Sequence, residues 1–71
     1  MLNTELIKAR MKEKDITQKE IADAIGIAAP TVSQKINGIR PMNLDEARII
    51  AEKLEIDSSD FGKYFFSVEV A

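Results

Sequence analysis

The stretch Thr17–Gly38 reads TQKEIADAIGIAAPTVSQKING and decides the fold of the chain. Thr17 can cap a helix with its hydroxyl, and Glu20 stands three residues later, which completes a capping box. The apolar residues that follow at helical spacing are Ile21, Ala22 and Ile25. Gly26 then suits the end of the helix, because glycine adopts the left-handed backbone conformation that other residues avoid. The pattern predicts a short helix that begins after Thr17 and ends at Gly26.

A second short helix is predicted directly after the first. Ile27 is one apolar residue inside the turn, placed to pack back into the core. Pro30 lacks an amide hydrogen and suits the first turn of a new helix. Val32 and Ile36 lie four residues apart and give this helix a buried face, and Asn37-Gly38 ends it. Two short helices joined by a tight glycine turn form a helix-turn-helix unit.

Length and composition restrict the class of protein. A sequence of 71 residues, numbered 1–71, has room for a single small domain. The sequence contains no cysteine and no histidine, which removes disulfides, the usual zinc ligands and the usual general base. We therefore expect no enzyme, no cofactor, no metal site and no small-molecule ligand. No apolar run approaches the length of a membrane span, and no signal peptide precedes the first helix, so we expect a cytoplasmic protein with no membrane partner.

The charges are distributed unevenly along the chain. Residues 1–40 contain seven Lys or Arg against five Asp or Glu, whereas residues 41–71 contain three against seven. The basic side chains thus gather in the half that carries the motif, although the net charge of the whole chain is −2. Such an asymmetry is expected of a protein with one surface that faces phosphates, but charges that merely solvate helix faces would also produce it.

The motif resembles the helix-turn-helix of the phage repressor and Cro family, which has the lambda-repressor-like fold. The resemblance is carried by Thr-Gln-x-Glu-Ile-Ala-x-x-Ile-Gly-Ile at residues 17–27 and continues from Asn37-Gly38 through Ile56. It covers roughly residues 3–65. It implies an all-α fold, a compact bundle of four to five helices, and a function in binding double-stranded DNA.

The flanking segments complete the predicted bundle. Asn3 or Thr4 can cap a first helix that ends near Lys14-Asp15. Asn43 and Glu46 form a second capping box at the start of the fourth helix. A short fifth helix is predicted after residues 57–60. The apolar residues expected to close the core are Leu6, Ile7, Met11, Leu44, Ala47, Ile50, Ala51, Leu54 and Ile56, with Phe61, Tyr64 and Phe65 on the fifth helix.

The family resemblance also implies which residues contact DNA, because the second helix of the motif lies in the major groove. Gln34 is the best candidate for reading a base, since its amide can both donate to and accept from adenine. Gln18, Asn37 and Arg40 resemble positions that contact the DNA backbone, and Asn37 could equally serve as a helix terminator. Lys35 stands where the family usually has an aliphatic residue, and it could extend toward a phosphate. The full predicted interface is Gln18, Ala29, Pro30, Thr31, Ser33, Gln34, Lys35, Asn37 and Arg40.

The start of the second helix departs from the family pattern. Ala28 or Ala29 stands where the family usually has Ser, Thr or Gln. Because a residue before proline is disfavoured in helical geometry, we expect Ala29 to be the N-cap, with no side-chain oxygen to offer. The first backbone amides of this helix would then be open to a phosphate or to water.

The C-terminal tail, residues 65–71, changes period. Phe66, Val68 and Val70 alternate with polar residues, which predicts a short β-strand that must pair with another strand, most simply that of a second copy. The tail resembles those of Cro-like repressors that dimerise through their C-termini. The implied dimerisation residues are Tyr64, Phe65, Phe66, Val68 and Val70. A tail folded over the core of its own chain is the alternative.

These features together predict a dimeric, sequence-specific transcriptional regulator, most simply a Cro-like phage or prophage repressor that binds a palindromic operator. The alternative is an antitoxin or anti-repressor, a module that uses the same helical scaffold to hold a partner protein. The sequence does not distinguish repression from activation.

Overall fold

The computed structural model describes residues 2–66, and every regular element within that range is helical. The elements are α1 (Thr4–Lys14), α2 (Gln18–Ile25), α3 (Ala29–Ile36), α4 (Leu44–Lys53), a 3-10 turn (Ser58–Asp60) and α5 (Phe61–Phe65). The predicted all-α helical arrangement is confirmed for this range. The predicted strand has its Val68 and Val70 outside the described residues, and Phe66 ends α5 rather than beginning a strand.

The amino ends of three helices are closed by side chains, as the sequence predicted. The side chain of Asn3 accepts a hydrogen bond from the N–H of Leu6 in α1. Thr17 with Glu20 and Asn43 with Glu46 form complete capping boxes at α2 and α4. Each box satisfies two backbone donors that would otherwise lack an acceptor within the helix.

The carboxyl ends of the first four helices share one design, in which a residue with positive φ is followed by an isoleucine. The pairs are Asp15-Ile16, Gly26-Ile27, Gly38-Ile39 and Glu55-Ile56. In each pair the isoleucine N–H donates to the carbonyl five residues earlier, at 2.8 to 3.1 Å. Three of these isoleucines pack against the core, whereas Ile39 is 73% exposed.

One hydrophobic core is shared by all five helices. Its buried members are Ile7, Met11, Ile21, Ala22, Val32, Ile36, Ala47, Ile50, Ala51, Leu54 and Phe65. One prediction about the core needs correction. Leu44 was expected inside but is 56% exposed, because the first residue of α4 lies beyond the edge of the packed interior.

Phe65 has the buried position that the sequence predicted, but its burial does not fit its other predicted role in dimerisation. It was predicted to contact a second copy, but its side chain is 4% exposed and belongs to the core of its own chain. Tyr64 is half-buried against the same core, so that of the aromatic residues predicted for dimerisation only Phe66 is largely exposed, at 54%. The five-residue α5 therefore closes the monomer rather than presenting a free face.

Helix α1 is fastened to three other parts of the chain by hydrogen bonds. The hydroxyl of Thr4 donates to the carbonyl of Ile36 at the end of α3, at 2.6 Å. The guanidinium of Arg10 donates to the carbonyls of Leu54 and Glu55, at 3.0 and 2.9 Å, and so satisfies the end of α4. The backbone N–H of Asn3 donates to the carbonyl of Tyr64. These bonds fasten α1 to the carboxyl ends of α3 and α4 and to α5.

Candidate nucleic-acid interface

Helix α3 presents one face to the core and one to solvent. Val32 and Ile36 are 1% and 0% exposed and hold the helix against the interior. Thr31, Ser33 and Gln34 lie on the accessible side and are half-exposed. Because α2 packs closely against α3, this accessible face is held rigidly at the surface.

The side chain of Gln34 is free to contact a ligand. Its amide makes no hydrogen bond to any residue between 2 and 66. Its backbone is fixed, because the Gln34 carbonyl accepts from the N–H groups of Ile39 and Arg40, at 2.8 and 3.2 Å. A free amide on a fixed backbone position is the arrangement that reading an adenine edge requires.

The amino end of α3 differs from the prediction by one residue. Ala28, with extended backbone angles, is the N-cap, whereas Ala29 is already the first helical residue and Pro30 the second. The expectation that Ala29 caps the helix is wrong. The restriction on a residue before proline does not prevent Ala29 from taking helical geometry at the first position of α3.

Fewer donors are open at this end than the sequence indicated. The N–H groups of Thr31 and Val32 both donate to the Ala28 carbonyl, at 3.0 and 3.2 Å, and Pro30 has no N–H. Within the described range, the N–H of Ala29 remains without an acceptor. The Ala28 methyl leaves room for an outside acceptor at that position, because no side chain caps the helix.

Two of the predicted backbone contacts are accessible. Gln18 is the first residue of α2 and is half-exposed, and Arg40 is exposed in the loop after α3. Neither side chain makes a hydrogen bond or ion pair within residues 2–66. The side chain of Asn37 already uses one of its donors, because its Nδ2 donates to the Ser33 carbonyl at 2.8 Å and closes the last turn of α3.

Lys35 lies elsewhere than the sequence suggested. Its ammonium donates to both carboxylate oxygens of Glu46 in α4, at 2.7 and 2.6 Å, and its side chain is only 17% exposed. The charge is therefore neutralised within the chain, and we remove Lys35 from the predicted phosphate contacts. The sequence showed Glu46 as a capping residue but contained no local signal for an ion pair across eleven residues.

The environment of Glu46 keeps its carboxylate charged. Burial alone would raise the pKa of this carboxyl, but hydrogen bonds from Lys35 and from the Asn43 N–H, together with the charge of Lys35, lower the pKa below its ordinary value.

Thr4 is another residue whose contact the sequence did not indicate, because its hydroxyl bonds to the Ile36 carbonyl, 32 residues away in the sequence.

The described residues contain no cluster of His, Cys, Asp or Glu that could hold a metal ion. None of the described helices combines the length and the apolar character that crossing a bilayer requires. The accessible groups are thus short polar side chains, two amides and one guanidinium on a helix-turn-helix frame, which defines a DNA-binding unit.

Comparison with known proteins gives the class directly. A family model described as helix-turn-helix matches residues 7–61, well over half of the chain. The protein belongs to this helix-turn-helix family, whose members bind double-stranded DNA and regulate transcription and which is not a family of enzymes. No curated protein matches the chain.

Proposed function

We propose that the protein is a sequence-specific transcriptional regulator that binds a palindromic operator as a homodimer, most simply a repressor of the Cro-like phage or prophage type. The observation that carries the proposal is the free amide of Gln34 on the accessible face of α3, a helix that is fastened at its carboxyl end. Occupancy of a promoter is sufficient for repression, so that no further active group is required. This function places the protein in the cytoplasm, with the DNA it regulates.

Recognition would use α3 in the major groove and α2 across the backbone. Gln34 reads one base, and Ala29 and Pro30 present apolar surface to thymine methyl groups. Thr31 and Ser33 are short enough to reach a base or a phosphate. Gln18 and Arg40 fix the register by contacting phosphates, with a smaller contribution from the remaining donor of Asn37.

A dimer would need an apolar surface outside this interface. The exposed side chains of Leu44 and Phe66 line one depression together with Leu2 and Met42. In the sequence, Val68 and Val70 follow Phe66 by two and four residues. We propose that a second copy covers this depression, because two-fold symmetry would give each half of a palindrome one α3.

Selection of a random duplex library by the purified protein tests this function. We expect a palindromic consensus with half-sites about one helical turn apart, and an affinity that falls steeply with salt. A consensus without symmetry would contradict the dimer. The absence of any enriched sequence would contradict operator binding and would favour the alternative, an antitoxin or anti-repressor that holds a partner protein.

Sedimentation tests the dimer separately. Leu44→Glu and Phe66→Glu should convert a dimer to a monomer, because each places a charge in the proposed contact. Ile39→Glu is the matched control, since Ile39 is even more exposed but does not line this depression. A monomeric wild-type protein, or equal effects of all three substitutions, would contradict the proposed dimer surface.

A further inference from the structure

Lys35 and Glu46 form the most shielded ion pair among the described residues. Their side chains are 17% and 11% exposed, whereas Glu13 and Glu55, the carboxylate partners in the two other pairs, are 66% and 72% exposed. Both carboxylate oxygens of Glu46 accept from the same ammonium. An exposed pair contributes little, but removal of one partner from a shielded pair leaves a buried charge unpaired.

The pair connects two helices across a loop. Lys35 lies in the last turn of α3, and Glu46 lies in the first turn of α4. Oxygen Oε1 of Glu46 also accepts from the Asn43 N–H at 3.0 Å, and the Lys35 ammonium lies 3.5 Å from the Pro41 carbonyl. The loop of residues 37–43 is therefore held at its far end by the same two side chains.

The near end of this loop is held by the helix that would read the bases. The carbonyl of Gln34 accepts from the N–H groups of Ile39 and Arg40, which follow Gly38 with its φ of 77°. Arg40 is thus fixed through its backbone on one side and through Pro41 and Asn43 on the other. Its guanidinium is exposed and forms no ion pair within residues 2–66.

We propose that Lys35 is a positioning residue for DNA binding, which acts through Glu46 to hold the 37–43 loop so that Arg40 reaches a phosphate while Gln34 of the same helix reaches a base. The inference rests on the proposed function. An ion pair suits this task because its hydrogen bonds are directional and fix the distance between two elements, which apolar packing at the same place would do less strictly.

This role differs from a phosphate contact in one measurable way. A lysine that binds a phosphate displaces counterions. Its loss reduces the magnitude of the negative slope of log affinity against log salt by about 0.9. The charge of Lys35 is neutralised by Glu46, so its loss should change the slope only through Arg40, and in a protein that carries Arg40→Ala it should leave the slope unchanged. Arg40 provides the comparison within the same loop, because Arg40→Ala should reduce the magnitude of the negative slope by about one.

The first experiment measures binding to the selected operator and to random duplex over a range of salt. Lys35→Met should weaken operator binding by roughly 5- to 30-fold, a range typical of coupled neighbouring groups, and should reduce the magnitude of the salt slope no more than Arg40→Ala does. In a protein that already carries Arg40→Ala, Lys35→Met should cause little further loss of affinity and no further change of slope. A further drop in the magnitude of the slope when Lys35→Met is added to Arg40→Ala, or full additivity of the two losses of affinity, would overturn the proposal.

A matched double variant separates positioning from stability. Glu46→Gln retains an oxygen for the capping box but removes the charge, and Lys35→Met with Glu46→Gln leaves no buried charge unpaired. We expect the double variant to recover most of the stability lost in each single variant without recovering operator affinity. Recovery of affinity in parallel with stability would show a structural role only and would overturn the proposal.

Amide hydrogen exchange tests the loop without DNA. In the double variant the amides of Ile39 and Arg40 should exchange faster than in the wild type, because the loop should open more often. The amide of Ile27 is the control, because it closes α2 through the same kind of bond but is remote from the pair. Unchanged exchange at Ile39 and Arg40 would overturn the proposal, whereas failure of the wild-type protein to enrich any duplex would instead contradict the proposed function.

Discussion

The two helices of the motif have the same length but are anchored at different ends. Helix α2 begins with a capping box in which the Thr17 hydroxyl accepts from the Glu20 N–H and the Glu20 carboxylate accepts from the Thr17 N–H. Helix α3 begins with Ala28, which offers no side-chain oxygen. The carboxyl end of α3 is instead the better fastened one, through Thr4, Lys35 and the loop that follows.

This difference separates the tasks of the two helices. A helix that only supports its neighbour can satisfy its own amino end, whereas a helix proposed to meet DNA can leave that end open to an outside acceptor. Fastening α3 at its far end holds the helix in place without covering the groups that would contact DNA. The motif therefore combines one helix whose amino end is capped from within with one whose amino end is not.

The largest expected effect tests what the two helices have in common. Ile21 in α2 and Ile36 in α3 are both 0% exposed, so each side chain is wholly buried in the shared core. Ile21→Ala and Ile36→Ala should each lower the free energy of unfolding by about 2–5 kcal/mol, enough to unfold a domain of this size in part. Urea unfolding followed by circular dichroism measures both. A large loss for only one of them would show that the helices do not share one core equally.

The next effect distinguishes the helices by their glutamines. Gln34 on α3 and Gln18 on α2 carry the same amide, but only Gln34 is proposed to read a base. Gln34→Ala should cost about 1–3 kcal/mol on the selected operator and relax the preference at one base pair. Gln18→Ala should weaken operator and random duplex alike. Fluorescence anisotropy on both duplexes provides the comparison, and equal losses for Gln34→Ala would contradict its assignment.

A smaller effect comes from exchanging the two amino ends. Thr17→Ala removes the cap of α2 and should lower the free energy of unfolding by about 1 kcal/mol. Ala28→Ser adds a cap to α3 and should raise the free energy of unfolding by about 0.5–1 kcal/mol. Urea midpoints with unchanged slopes would confirm both signs. Destabilisation by Ala28→Ser would show that the amino end of α3 is not a simple uncapped end.

The smallest effect concerns the carboxyl end of α3 and its dependence on pH. Because the pKa of Glu46 is lowered in the folded chain, its pairing stabilises the fold above the ordinary carboxyl pKa of 4.5, and this contribution is lost as the pH falls through the folded pKa. Urea unfolding between about pH 6 and about pH 3 should show a smaller loss for the Lys35→Met, Glu46→Gln double variant than for the wild type. Equal losses would contradict the assignment of this part of the acid sensitivity to Glu46.

Local patterns were sufficient to predict most of the fold. The capping boxes at Thr17 and Asn43, the glycine at position 26 and the helical spacing of apolar residues each act within one helix, and each is present in the structure. The exposure of Leu44 was mispredicted because the first residue of a helix satisfies the apolar period without having a neighbour to pack on.

The interface was predicted less completely, for a physical reason. The partner of Lys35 belongs to another helix, and the hydroxyl of Thr4 in α1 donates to the carbonyl of Ile36 in α3. Such contacts follow from the placement of elements distant in sequence, which a period or a motif does not contain. Gln34, Gln18 and Arg40, whose accessibility follows from the periods of their own elements, lie at the surface as expected.

The hydrogen bonds of α1 also determine when this fold can be completed during synthesis. The Thr4 hydroxyl can form its hydrogen bond only after Ile36 has been synthesised, and Arg10 only after Leu54 and Glu55. The N–H of Asn3 requires the carbonyl of Tyr64. Helix α1 therefore meets its last partner only after residues up to Tyr64 have been synthesised. Contacts that span so much sequence delay folding, because the intervening loop must close before they form. Helical turns of the motif can form early, whereas the hydrogen bonds that fasten α1 form late.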